Sequence, residues 1–164
     1  MFEQMEAFID EVLFDDAQRN ALDFAAYLKA NHLLAERGKG YWENQLYWLI
    51  KYENEHVCFI LIEGPEMWTF WSDDSGTNCF SDFPLDEQIK EIAWRNIDFC
   101  ANCGTCKCPG GMRKTLFGKP FDSVCITAMK VVNPDTEALK CIKKLVEIRQ
   151  KDIITSLHRM DVST

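Results

Sequence analysis

The chain has 164 residues, enough for one domain and too short for two of ordinary size. Hydrophobic residues make up 47% and aromatics 12%, a packed composition that excludes a disordered chain. The net charge of −8 is unevenly spread: the first 100 residues hold 20 acids and 7 bases, the rest 6 acids and 11 bases. A nucleic-acid binder shows a dominant basic face. Here the acidic part repels a phosphate backbone, so the balance argues against a nucleic-acid partner. No apolar run approaches the ~20 residues that a membrane-crossing helix needs. The opening MFEQMEAFIDE is acidic and amphipathic, unlike a secretory signal or an Arg-rich transit peptide. These features predict a soluble, cytoplasmic protein without a membrane partner.

Met1 to Leu13 reads as a helix, with Met5, Phe8, Ile9 and Val12 on one stripe. Asp15 or Asp16 is the expected cap of a second helix that runs to about Ala35, with Leu22, Ala25, Leu28 and His32 at helical spacing. Leu46 to Tyr52, Val57 to Glu63 and Met67 to Ser72 are aromatic and β-branched. Turns at Glu53-Asn54-Glu55-His56 and Gly64-Pro65 join them into an antiparallel meander. The DDSGTN stretch is a polar loop, after which Pro84 starts a helix expected to reach Phe99 and run straight into Cys100. GKPF at 118–121 signals a turn, and Val124 to Val132 a fourth strand. Asn133-Pro134-Asp135 then opens a final helix, with Pro134 at its first position, that reaches about Leu157. The predicted fold is a single α+β domain over 1–164. It has an antiparallel sheet of about four strands, two N-terminal helices, a middle helix, a C-terminal helix and a cysteine-rich metal-binding segment at 100–125.

Eight cysteines stand at 58, 79, 100, 103, 106, 108, 125 and 141. In a reducing compartment such a count points to metal or redox use rather than disulfides. Four of them fall in CANCGTCKC, where Cys100, Cys103 and Cys106 repeat the Cys-x-x-Cys spacing twice. A tight turn aims both sulfurs of such a pair at one centre, and Gly104 and Gly110-Gly111 let the backbone wrap closely. Three thiolates can thus surround one zinc ion, with Cys125 the preferred fourth ligand and Cys108 the alternative. Two other readings compete. The run resembles a ferredoxin iron–sulfur motif, but one residue precedes the last Cys where that motif has three. A metal-free dithiol would use Cys103 and Cys106, although a motif that follows a helix lacks activation by a helix N-terminus. Cys58 and Cys141 read as core, and Cys79 as a loop residue with the option of serving as a further ligand.

His32, His56 and His158 have no candidate partner nearby in sequence, and Asp15-Asp16 and Asp73-Asp74 sit where caps and turns want Asp. No nucleophile elbow, phosphate loop, dinucleotide fingerprint or His-Glu-x-x-His occurs, so nothing marks an enzyme. Trp42, Trp48, Trp68, Trp71 and Trp94 crowd the strands and their flanks, with Trp68 and Trp71 on opposite faces of one strand. Either these rings are core, or Trp48, Trp68 and Trp71 line a cleft for a small aromatic or cationic ligand, with Glu53 supplying charge.

FPLDEQIKEIAWRNIDFCANCGTC, KTLFGKPFDSVC and NPDTEALKCIKKLVEIR together resemble an uncharacterised family of small cytosolic cysteine-cluster proteins of anaerobic Firmicutes. The match covers roughly residues 80–151 and implies a bacterial, cytoplasmic protein. The meander, strand and closing helix are also similar, at the level of fold alone, to the effector-binding domains of gyrase-inhibitor-like proteins. That likeness implies small-molecule binding in an aromatic cleft with an acidic residue.

Overall fold

A computed structural model describes residues 1–38, 46–101 and 110–163. In chain order the elements are α1 (Phe2–Val12), α2 (Asp15–Ala30), β1 (Leu34–Arg37), β2 (Tyr47–Tyr52), β3 (Glu55–Ile62) and β4 (Trp68–Ser72). They continue with α3 (Glu87–Arg95), β5 (Ile97–Phe99), β6 (Met112–Leu116), β7 (Lys119–Val132) and α4 (Thr136–Val162). Among the described residues the architecture is α+β with four helices, as the pattern predicts. Their antiparallel sheet has seven strands rather than about four, ordered β1-β2-β3-β4-β7-β5 with β6 also paired to β7.

The meander follows its alternation. Trp48, Ile60 and Phe70 are in register across β2, β3 and β4, as are Ile62 and Trp68, and all five are buried on one face. That face meets Phe24 of α2, whose ring stacks on Trp68 at 5.9 Å and meets Phe70 edge-on at 5.8 Å. Met5 and Ile9 of α1 and Leu139, Ile142, Val146 and Ile153 of α4 complete the same core. Two residues at φ > 0, Glu53 and Asn54, make the β2–β3 turn, which is tighter than the four-residue turn read from the sequence.

Several boundaries differ from expectation, each for a local reason. The second helix stops at Ala30 rather than Ala35. Asn31 Nδ2 donates to the Tyr27 carbonyl at 2.8 Å, and His32 turns left-handed at φ 62°, which leads the chain into β1. His32 is therefore an exposed turn residue and not part of a helical stripe. Phe14, without a side-chain bond, occupies the N-cap, while Asp15 and Asp16 lie in the first turn, where their charge suits the helix dipole. The middle helix spans only 87–95. Its cap is Asp86, which accepts from the Ile89 N–H at 2.9 Å, and Asn96 ends it by bonding back to the Ile92 carbonyl at 2.8 Å. The residues that follow are β5, so the cysteine-rich segment leaves a strand and not a helix.

The turn in the GKPF region is Phe117-Gly118, with φ values of 50° and 82°, and Lys119 to Phe121 already belong to β7. Pro134 precedes the last helix rather than opening it. Asp135 is the cap, accepting from the Ala138 N–H at 2.8 Å, and the helix reaches Val162. Among the described residues no helix is long and apolar enough to cross a membrane.

An ion pair ties the β6–β7 hairpin to the loop after β4. Lys114 Nζ lies 3.3 Å from Asp74 Oδ2, with side chains only 6% and 2% exposed. Asp74 Oδ1 also accepts from the Gly76 N–H at 2.8 Å. Beside the pair, Phe117 and Gly118 donate to the carbonyls of Phe80 and Ser81, and Trp94 Nε1 donates to the Leu116 carbonyl at 2.8 Å. Removing one partner of a buried pair strands the other charge. Asp74→Ala is therefore expected to cost about 3–5 kcal/mol in urea unfolding. The double variant Asp74→Ala/Lys114→Met should recover much of that loss, because no ammonium is then left buried.

Candidate functional site

Of the expected metal set two cysteines are described, one just past β5 and the other within β7. Cys100 follows β5, and its N–H donates to the Ser123 carbonyl of β7 at 2.7 Å. From the other side of the segment, Gly111 is pressed onto the same residue: a Cβ there would lie 2.6 Å from the Ser123 carbonyl carbon. Phe99 and Met112 are both in register with Val124, so β5 and β6 flank β7 at that point. The ends of the cysteine-rich segment thus stand about two strand spacings apart, roughly 10 Å, on either side of Ser123-Val124. Cys125 is the next residue.

Beyond it β7 leaves the ladder. Ile97 and Phe99 are two residues apart, whereas their partners Met129 and Val124 are five apart, so β7 carries three extra residues in a bulge. Cys125 lies at its start. The bulge is held by Thr127, whose carbonyl accepts from Ser72 Oγ and whose hydroxyl donates to Asp98 Oδ2 at 2.9 Å. Ala128 turns it back at φ 66°. Cys100 and Cys125 are both half-buried. Cys103, Cys106, Cys108 and Gly104 lie outside the described residues. Among the described residues no group of three His, Cys, Asp or Glu side chains converges as a metal site.

The remaining cysteines suit packing rather than chemistry. Cys58 and Cys141 are fully buried, and Cys79 is half-buried. Burial pushes the Cys141 thiol up to about 12. Burial, reinforced by the Asp152 carboxylate, does the same for Cys79. Burial, with Asp73 nearby, holds Cys58 well above the usual thiol range. All three stay protonated and poorly nucleophilic at neutral pH.

The four residues read as a ligand cleft do not converge. Trp48 and Trp68 point into the core beneath the helices, at 3% and 0% exposure. Trp71 lies on the opposite face with Tyr47 and Leu61, across from Lys130, whose ammonium stands 5.3 Å from its ring. Glu53 is exposed in the β2–β3 turn, five residues along from Trp48. A groove of about 320 Å³ lies elsewhere, between the end of α3 and the start of α4, lined by Arg95, Asn96, Val132 and Glu137 among others. Trp42 lies outside the described residues.

A polar network that the sequence reading passes over gathers at the far end of the meander. Arg149, 2% exposed, donates from Nε to the His56 carbonyl at 3.0 Å and from Nη1 to Asp152 Oδ2 at 2.7 Å. Thr77 Oγ1 donates to the same Asp152 oxygen at 2.7 Å, and Asp73 Oδ2 lies 3.7 Å from His56 Nδ1. The signal for it is an Arg within the apolar stripe of Leu145, Val146 and Ile153, where a free cation would be untenable.

Burial raises the Asp73 carboxyl above its ordinary range, against the opposing pull of the Ser75 N–H and His56. The folded chain therefore holds that proton more tightly than the unfolded chain. This contribution to stability is present below the ordinary Asp pKa of about 3.9 and is lost as the pH rises through the raised value. Asp73→Asn should abolish that fall, and urea midpoints of the variant and the parent across the acid-to-neutral range are the check. In comparisons with known proteins, no family model matches the chain, and neither a curated protein nor a solved structure does so.

Proposed function

We propose that this is a small binding or regulatory protein whose cysteine-rich segment is closed by a structural zinc ion, held by the thiolates of Cys100, Cys103, Cys106 and Cys125. The reading is carried by one observation: both ends of the segment meet β7 at Ser123-Val124, one residue from Cys125. A fourth ligand from β7 would join the segment to the sheet at the place where the ladder is interrupted. Cys108 offers only a one-residue gap from Cys106, so it is the alternative. Four soft thiolates suit zinc, which when bound supplies closure and folding energy rather than reactivity.

Among the described residues Cys58, Cys79 and Cys141 are unbridged and buried or half-buried, so they are not offered as ligands in this reading. The thiol-redox alternative would use Cys103 and Cys106, which lie outside the described residues; what leads into Cys100 is β5 rather than the expected helix. An iron–sulfur cluster would use the same thiolates and is separated from zinc by the metal found. The binding role is drawn from the indole-rich sheet, and a small molecule is its proposed ligand.

Elemental analysis of protein purified anaerobically without a metal-affinity tag is expected to find about one zinc per chain. Cys103→Ser and Cys125→Ser should lose the metal and melt well below the parent, while Cys108→Ser keeps both. Retention of zinc by Cys125→Ser but not by Cys108→Ser would move the fourth ligand to Cys108. Protein with neither zinc nor iron, whose melting ignores a strong chelator, would sink the metal reading and leave reversible oxidation of Cys103 and Cys106 to be tested.

A further inference from the structure

Trp48 Nε1 and Trp68 Nε1 are the buried side-chain nitrogens among the described residues that have no hydrogen-bond partner. A buried N–H is normally paired, because its lost hydration is otherwise uncompensated. The two indoles share the helix-facing side of the sheet. Trp48 opposes Ile60 and Trp68 opposes Ile62, so they stand two strands and two residues apart, with backbones about 12 Å from each other. An indole only donates, so neither can satisfy the other. The side chains between and above them, Ile60, Ile62, Phe70 and Phe24, carry no acceptor.

We infer that these two indoles form an internal ligand site for a small uncharged molecule with an aromatic or other apolar body and carbonyl-type acceptor oxygens. Water is a poor occupant. It needs two to four polar partners, whereas each indole offers one and the surroundings are apolar. An apolar body replaces the packing around the rings while its acceptors take the N–H groups. Glu53, the carboxylate expected beside these rings, stands in the β2–β3 turn five residues on from Trp48, so it gives a cationic ligand no support here. Entry would be by lifting α1. Its Phe2, Met5 and Ile9 lie in this core, and the ion pairs of its Glu3 and Glu6 with Lys29, at 4.0 and 3.5 Å, are on the surface.

The site rests on the small-molecule part of the proposed function and is independent of the zinc closure. The test is titration of ¹⁵N-labelled full-length protein, as purified, with 1,4-diacetylbenzene and dimethyl terephthalate, each of which offers two separate carbonyl acceptors, using naphthalene and benzyltrimethylammonium as controls. Both indole N–H signals should move with the carbonyl probes, which should bind about tenfold more tightly than naphthalene, the usual scale for one lost hydrogen bond. Trp48→Phe and Trp68→Phe should each erase part of that preference.

A rise in melting temperature with neither indole signal moving, or only one, would overturn the site while leaving ligand binding elsewhere. Equal binding of naphthalene would reduce it to apolar filling and overturn the acceptor argument. No response to any probe, with both indoles exchanging magnetisation with trapped water, would overturn the site and the small-molecule reading together. The zinc content would be unaffected.

Discussion

One strand holds the molecule together. β7 pairs with β4 through Lys130 to Val132, with β5 through Val124 and Met129, and with β6 through Lys119 to Val124. A strand has two edges, so three partners are possible only because β7 is 14 residues long and breaks its own ladder at the bulge. The meander supplies a face to bury, and the helices bury it, but the connection of that meander to the cysteine-rich half of the chain runs through β7. The bulge is braced from both sides, by Ser72 of β4 and Asp98 of β5, each bonded to Thr127. The irregularity is thus a fixed joint, and Cys125 is placed at its edge.

A buried polar network also ties the β6–β7 hairpin to the meander. Lys114, two residues into β6, reaches Asp74 in the loop after β4, and that loop reaches Asp152 through Thr77 and so Arg149 and the His56 strand. Buried charges of this kind contribute little net stability over apolar replacements, but separating the partners strands a charge. The network ties the β6–β7 hairpin and α4 to the meander. The 73–81 loop, which looks like a plain connector, is the element that receives bonds from both.

Where periodicity was strong, the chain was legible. The meander, α1 and α4 follow from alternating or helical apolar spacing, and the α+β class follows from them. The misses share a cause. β1, β5 and β6 are four, three and five residues long, too short for a period to declare itself. Each is also attached to a helix or to the cysteine run that drew the reading past it. The end of α2 turned on Asn31 and His32, since apolar residues continue at Leu33 and Leu34 and mimic a longer stripe. Of the candidate site, spacing could name the thiols but not where the segment is anchored. That depends on Ser123 and Val124, residues with no chemical signature. The tryptophans were conspicuous as a group, yet which face each takes is decided by the register of β2, β3 and β4.

The register of β7 also sets an order on the making of the protein. β2, β3 and β4 pair with near neighbours in sequence, so the meander can form once residue 72 has been made. The far edge of β4, Thr69 to Trp71, gains its partner only when residues 130–132 arrive, and α4 comes later still. During synthesis, a nearly complete aromatic sheet therefore waits with one bare edge and part of its inner face uncovered. At translation rates of about 5–20 residues per second, that exposure lasts several seconds. Through that interval the nascent chain presents an unpaired β-edge to its neighbours. A polysome carrying several such chains is where the long reach from β4 to β7 would be felt most.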